Sequence, residues 1–105
     1  MESKTGHNLR RRMIQNFMDI IILKHLKSNN AVSGYDIIKH HQKFQMLPSP
    51  GTVYSILYAL ERQELIEGKM AQGKRVYALT NQGEAFLNQI HNTKQNIQAV
   101  FSALI

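Results

Sequence analysis

With 105 residues, no cysteine and a formal net charge of +6, the chain has room for one domain, excludes a disulfide framework or thiolate metal site, and is biased toward a polyanionic partner. The hydrophobic fraction of 43% supports a core, though one that is marginal at this size. No apolar run approaches the roughly 18 residues needed to span a bilayer, and the start lacks the apolar core and cleavage pattern of a signal peptide, so the expectation is a soluble, cytoplasmic protein with no membrane partner. Residues 1–79 hold 12 Lys/Arg and 6 Asp/Glu, whereas residues 80–105 hold one of each. The net charge therefore lies entirely before residue 80, and the C-terminal part has a different task.

Met1 to Asn8 is polar and reads as a flexible N-terminus. Arg10, Arg11 and Arg12 form a cationic run that is either a solvated helix start or a non-specific phosphate contact. From Leu9 to about Lys27 the pattern is helical. Leu9, Met13, Ile14, Phe17, Ile21 and Leu26 give a core stripe, and Met18, Ile20, Ile22 and Leu23 widen it nearly all round. A chain this small has little with which to cover both sides, so the pattern points to a partner chain. Asp19, inside the apolar stretch, falls at an exposed edge or in an interface pair.

Ser28 to Val32 reads as a loop. Ser33-Gly34-Tyr35-Asp36 is a capping box of the S-x-x-D kind opening a short second helix, with apolar contacts from Tyr35, Ile37 and Ile38 and a polar end at His40, His41, Gln42 and Lys43. A turn comes next, from Phe44 to Pro48. The helix after it has both ends marked: Ser49 as N-cap, Pro50 at the first helical position, and Val53, Ile56, Leu57 and Leu60 as one apolar stripe. Its opposite side carries Gly51, Ser55, Tyr58 and Arg62, flanked by Thr52 and Tyr54. Hydroxyls, Tyr and Arg suit phosphates and base edges better than plain solvation. Two short strands then flank Gln72-Gly73, with Lys69, Lys74 and Arg75 placed together at the tip. Helix, turn, helix and basic-tipped hairpin is the order of parts in a winged helix-turn-helix, spanning residues 9–79.

Thr80 caps a final helix in which Phe86, Ile90, Thr93, Ile97, Val100 and Leu104 form a heptad seam, broadened by Leu87, Phe101 and Ile105. A small core cannot absorb this helix over its whole length. Residues 80–105 are therefore read as a dimerisation helix, which joins the apolar first helix in a two-fold homodimer. Phe17, Ile21, Phe86, Ile90, Ile97, Val100, Phe101 and Leu104 are the expected interface residues. A dimer sets two recognition helices about one DNA turn apart and implies a pseudo-palindromic site. The expected fold class is mainly α with a small β-hairpin.

The segments Ser33-Gly34-Tyr35-Asp36-Ile37, Ser49-Pro50-Gly51-Thr52-Val53-Tyr54 with Leu57, Leu60 and Glu61, Leu65-Ile66, and Val76-Tyr77-Ala78-Leu79-Thr80 with Gly83 resemble the PadR family of transcriptional regulators over about Phe17 to Leu87. The single helix after the wing is similar to the short subfamily. The resemblance implies a homodimer built from the first and last helices, a repressor that occupies operator DNA, and, in some relatives, release by a small planar or phenolic effector. The chain has no Trp, which removes any pocket built on indole stacking. Phe17, Phe86 and Phe101 are either the lining of an apolar effector cavity or plain core.

No cofactor and no catalytic activity are expected. The histidines His7, His25, His40, His41 and His91 include no i, i+4 ligand pair and read as scattered surface residues. No Gly-rich phosphate loop or nucleophile motif is present. The expected DNA contacts are Tyr35, Ser49, Thr52, Tyr54, Ser55, Tyr58, Arg62, Lys69, Lys74 and Arg75. Two alternatives stay open: an architectural DNA binder, because the recognition face has few long base-reading side chains, and a protein-interaction adapter, because winged helices serve both ends.

Overall fold

The structure is a computed structural model that describes residues 3–41 and 49–105. The turn expected from Phe44 to Pro48, together with Gln42 and Lys43, lies outside the described residues. The elements are helices α1 (Lys4–Asn16) and α2 (Met18–Ser28), strand β1 (Val32–Ser33), helices α3 (Gly34–His41) and α4 (Pro50–Arg62), strands β2 (Ile66–Ala71) and β3 (Lys74–Leu79), and helices α5 (Asn81–Asn92) and α6 (Lys94–Leu104). The second and third expected helices, as α3 and α4, and the hairpin are present in a mostly helical winged-helix fold.

The expected first helix is two. It begins at Lys4 rather than Leu9, capped by the Ser3 hydroxyl accepting from the Gly6 N–H, so part of the supposed N-terminal tail is helical. It breaks at Phe17 (φ −111°, ψ 21°), although the Phe17 N–H still donates to Met13 O and Ile21 N–H to Phe17 O. The break gives α2 a new direction. Met18, Ile22, Leu23 and Leu26 are buried in the core, while Leu9, Met13 and Phe17, which the sequence pattern puts in the core stripe, are 40–47% exposed. A single stripe drawn through both halves is therefore wrong: α1 buries no residue.

The core forms where α2 packs against α4, β3 and α5. Ile22, Leu23, Ile37, Val53 and Leu57 are fully buried at its centre. The sheet has a third strand that the sequence pattern hides: β1, only two residues long, pairs antiparallel with β3 through Val32↔Tyr77 and Ser33↔Val76. At the hairpin turn Gln72 (φ 51°) and Gly73 (φ 76°) both adopt positive φ, the pattern of a two-residue type I′ connection.

Three corrections concern side chains. Ser33 does cap α3, its hydroxyl accepting from the Asp36 N–H at 3.1 Å, but Tyr35 stands 63% exposed instead of joining the core. His41, expected on a polar end, is 1% exposed with Nδ1 2.6 Å from Ile37 O. Nor are three of the five histidines scattered: His25 stacks on His40 with centroids 4.0 Å apart, and His41 meets both edge-on, while His7 and His91 are exposed as expected.

The C-terminal helix also divides, at Thr93 (φ −95°, ψ 3°), where the Thr93 hydroxyl donates to Ile90 O at 2.9 Å. Such back-bonding bends helices. The six-residue heptad seam is thereby interrupted at its middle. Phe86 and Leu87 pack on the core, whereas α6 buries no residue. Projection of the outer helices fits the overall dimensions, 46 × 29 × 21 Å. The radius of gyration is 15.0 Å, against ~13 Å for a compact chain of this length.

Candidate nucleic-acid interface

Helix α4 is held at both ends. At its start, Ser49 Oγ accepts from the Thr52 N–H at 3.3 Å and lies 3.0 Å from Thr52 Oγ1. At its end, Leu65 N–H donates to Leu60 O and Glu64 N–H to Glu61 O, with Glu64 at φ 62°. These are the two bonds of a Schellman motif, closed by Glu where glycine is usual. Thr80 pins this corner to the wing: its N–H donates to Leu65 O, its hydroxyl donates to Glu64 O at 2.6 Å and accepts from the Gly83 N–H at 3.0 Å. Gly83 lies so close that a Cβ there would collide with the Leu65 carbonyl.

So fixed, α4 buries Val53, Leu57 and Leu60 and turns its other side outward. Ser49, Thr52, Tyr54, Ser55, Tyr58 and Arg62 are all exposed, as are Tyr35, Lys69, Lys74 and Arg75. The ten expected contact residues are thus all at the surface. They are not one cluster, however. Tyr54, Tyr58, Arg62 and Arg75 line one hollow of about 530 Å³ between α4 and the wing, together with Glu61 and Tyr77. The Arg62 guanidinium lies 4.9 Å from the Tyr58 ring centroid, a cation–π stack. Tyr54 reaches the other way as well: its ring sits where a Cβ on Gly34 would be, 2.6 Å from Cε1. Gly34 at the start of α3 and Tyr54 in the first turns of α4 therefore pack together.

The supposed cluster of three cations at the wing tip is corrected by the hairpin register. Pairs Met70↔Arg75 and Gly68↔Tyr77 alternate with Ala71↔Lys74 and Lys69↔Val76. Side chains alternate faces along a strand, so Lys69 and Lys74 share one face and Arg75 stands on the other with Tyr77. Arg75 turns toward α4, its Nη2 2.6 Å from Glu61 Oε2. That hydrogen bond first, and the attraction of the carboxylate second, raise the Arg75 pKa above its ordinary value. Sequence reasoning missed Glu61 and Gly68 as parts of this site. Glycine inside a strand was the available signal, since it often marks a close approach.

Of the expected dimer residues, Ile97, Val100, Phe101 and Leu104 are 48–78% exposed, Phe17 is 47% exposed, and Ile21, Phe86 and Ile90 are half-buried. Phe17 and Phe101 are too exposed in one chain to enclose an effector. Among the described residues no group of His, Asp or Glu is arranged to hold a metal ion, and no helix is long and apolar enough to cross a membrane.

The sequence profile of the PadR-like family of transcriptional regulators matches residues 22–89. The chain belongs to this family. Solved family structures share the fold. A PadR family transcription regulator from Clostridium difficile R20291 is 26% identical, with a TM-score of 0.72 over 84% of this chain and 97% of that one. A transcriptional regulator from Clostridium thermocellum is 23% identical, with a TM-score of 0.75 over 90% and 95%. A PadR family regulator from Eggerthella lenta is 17% identical, with a TM-score of 0.75 over 93% and 89%. No curated protein sequence matches the chain. The protein is accordingly a DNA-binding transcriptional regulator of the PadR-like family, and its family and structural neighbours are regulators rather than enzymes.

Proposed function

We propose that the protein is a sequence-specific repressor that binds a pseudo-palindromic operator as a homodimer. The observation that carries the reading is the division of α4: Val53, Leu57 and Leu60 are at most 3% exposed, while hydroxyls, tyrosines and one arginine fill the outward face. In this reading α4 enters the major groove, with Ser55 and Tyr58 nearest the bases. Ser49, Thr52 and the α4 N-terminus hold a phosphate, and Tyr35, Lys69 and Lys74 hold flanking ones. The exposed apolar side chains of α6, with Phe17 at the α1–α2 break, cover each other across a two-fold axis. Their exposure in a single chain supports this, because contiguous apolar surface on a regulator is costly to leave wet.

The test is selection from random duplexes, followed by binding to the selected and a scrambled sequence at two salt concentrations. An inverted repeat with half-sites about one turn apart is expected. Binding without an enriched motif would favour the architectural reading, which the scarcity of long polar side chains on α4 keeps as the second one. Absence of binding at low salt would leave the protein-interaction adapter.

A further inference from the structure

We propose that Arg75 is a positioning residue that latches the wing to the recognition helix through Glu61, and that it is not among the phosphate contacts. This rests on the DNA-binding reading above and refines it. The sequence places Arg75 beside Lys74, and charge alone would count both toward the DNA backbone. Geometry separates them. Lys74 and Lys69 stand on one face of the hairpin, while Arg75 shares the other with Tyr77 and with Ile66 of the core. There the guanidinium meets the Glu61 carboxylate at 2.6 Å and lies 5.8 Å from the Tyr77 ring centroid. A carboxylate at that distance cancels the charge a phosphate would meet, and a phosphate approaching the same nitrogen meets the anion first.

The neighbourhood is shaped for the pair. Gly68, facing Tyr77 across the hairpin, has no side chain, and a Cβ there would come within 2.8–2.9 Å of Arg75 Nη2 and Nε and of Glu61 Oε1. The bridge thus lies over the backbone of β2 and ties three elements: α4 through Glu61, β3 through Arg75 and β2 through the space at Gly68. Around it Tyr54, Tyr58 and Arg62 line the same hollow. A wing fixed in this way keeps Lys69 and Lys74 at a set angle to α4, which is what simultaneous groove and backbone contact requires. The pair is half-exposed, so it adds little to global stability. Its effect is on the relative placement of two surfaces.

The experiment compares the intact protein with Gly68→Ala, Glu61→Gln, Arg75→Gln, Lys74→Gln, the double variant Glu61→Gln/Arg75→Gln and the charge swap Glu61→Arg/Arg75→Glu. Gly68→Ala is the cleanest probe, because the atoms it displaces are the far ends of flexible side chains and not backbone, so the variant is expected to fold. Two quantities are read: amide hydrogen exchange of β2 and β3 in the free protein, and the salt dependence of binding to the selected operator. Expected is that Lys74→Gln lowers the slope of log K against log salt by about 0.9, the value for one lost phosphate contact. Gly68→Ala, Glu61→Gln and Arg75→Gln should leave the slope unchanged, weaken operator binding by a common factor of about threefold, and speed exchange in the hairpin. The double variant should be no worse than either single one, and the swap should recover part of the loss.

A slope lowered by Arg75→Gln as much as by Lys74→Gln would overturn the proposal and return Arg75 to the phosphate contacts. Tighter binding with a steeper slope in Glu61→Gln would overturn it too, showing a masked cation. Unchanged exchange and affinity in Gly68→Ala, Glu61→Gln and Arg75→Gln would mean no latch. If the intact protein bound no duplex while hairpin exchange still rose in the variants, the latch would stand and the DNA-binding reading would fall.

Discussion

Helices α4 and α6 are nearly equal in length and both amphipathic, yet they end up in opposite situations. Over 13 residues α4 buries Val53, Leu57 and Leu60, and is capped at both ends. Over 11 residues α6 buries nothing, with Ile97, Val100, Phe101 and Leu104 at the surface. The difference teaches that an apolar stripe states a need for cover without saying whether the same chain supplies it. For α4 the cover is α2, α3 and the sheet. For α6 it is, in our proposal, a second copy.

The largest expected effect tests the covered side of this contrast. Leu57→Ala, at a site with no exposure, should cost about 2–5 kcal/mol in a urea melt, the range for deleting a buried leucine side chain. Phe101→Ser with Leu104→Ser should shift the unfolding of a single chain by no more than about 0.5 kcal/mol, yet convert a sedimenting dimer to a monomer. It should also abolish any rise of Tm with protein concentration. A concentration-independent Tm in the unaltered protein would rule out the second copy as the cover of α6.

A smaller loss is expected at the corner that holds α4 to the wing. Thr80→Ala removes a cap hydroxyl and its bond to Glu64 O, and should cost about 1–2 kcal/mol by thermal denaturation. The opposite sign is expected nearby. Glu64 occupies a left-handed conformation at φ 62°, which costs a residue with a Cβ about 1 kcal/mol. Glu64→Gly should stabilise the protein by roughly that amount less the added freedom of the unfolded chain, leaving a few tenths of a kcal/mol. A measured loss would mean that the Glu64 side chain contributes more than its backbone strain costs.

Legibility from sequence follows the same division. The ends of the hairpin and the start of α4 are readable, because Gln72-Gly73 names a turn and Ser49-Pro50 names an N-cap and a first turn. The α4 C-terminus carries no such mark, since Glu64 stands where glycine would signal the motif. Strand β1 is hidden because two residues are too short for any period. Arg75 is wrongly grouped with Lys69 and Lys74 because neighbouring letters look like neighbours in space, whereas a strand sends Lys74 and Arg75 to opposite faces. Both helix breaks escape because Phe17 and Thr93 are ordinary helix residues at those positions. The break at Phe17 separates the core-buried α2 from α1, which buries nothing, and the one at Thr93 coincides with its back-bonding hydroxyl.

Thr93 allows the last and smallest test. Its hydroxyl donates to Ile90 O while its N–H reaches both Gln89 O and Ile90 O, and the Ile97 N–H donates to Thr93 O. The ladder thus runs through the bend, which is a deflection of one helix more than an end. Replacing Thr93 by Ala removes the back-bonding hydroxyl and substitutes the best helix former, a gain of about 0.5 kcal/mol in helix propensity. A straighter α5–α6 should appear as increased ellipticity at the helix band and a longer maximum dimension in solution scattering. If α6 is the dimer seam, the same variant redirects Ile97, Val100 and Leu104 relative to the core-bound Phe86 and Leu87. Association should then weaken although each chain has become more helical. Stronger association would mean that the seam is the continuous heptad from Phe86 to Leu104, with the bend at Thr93 opposing it.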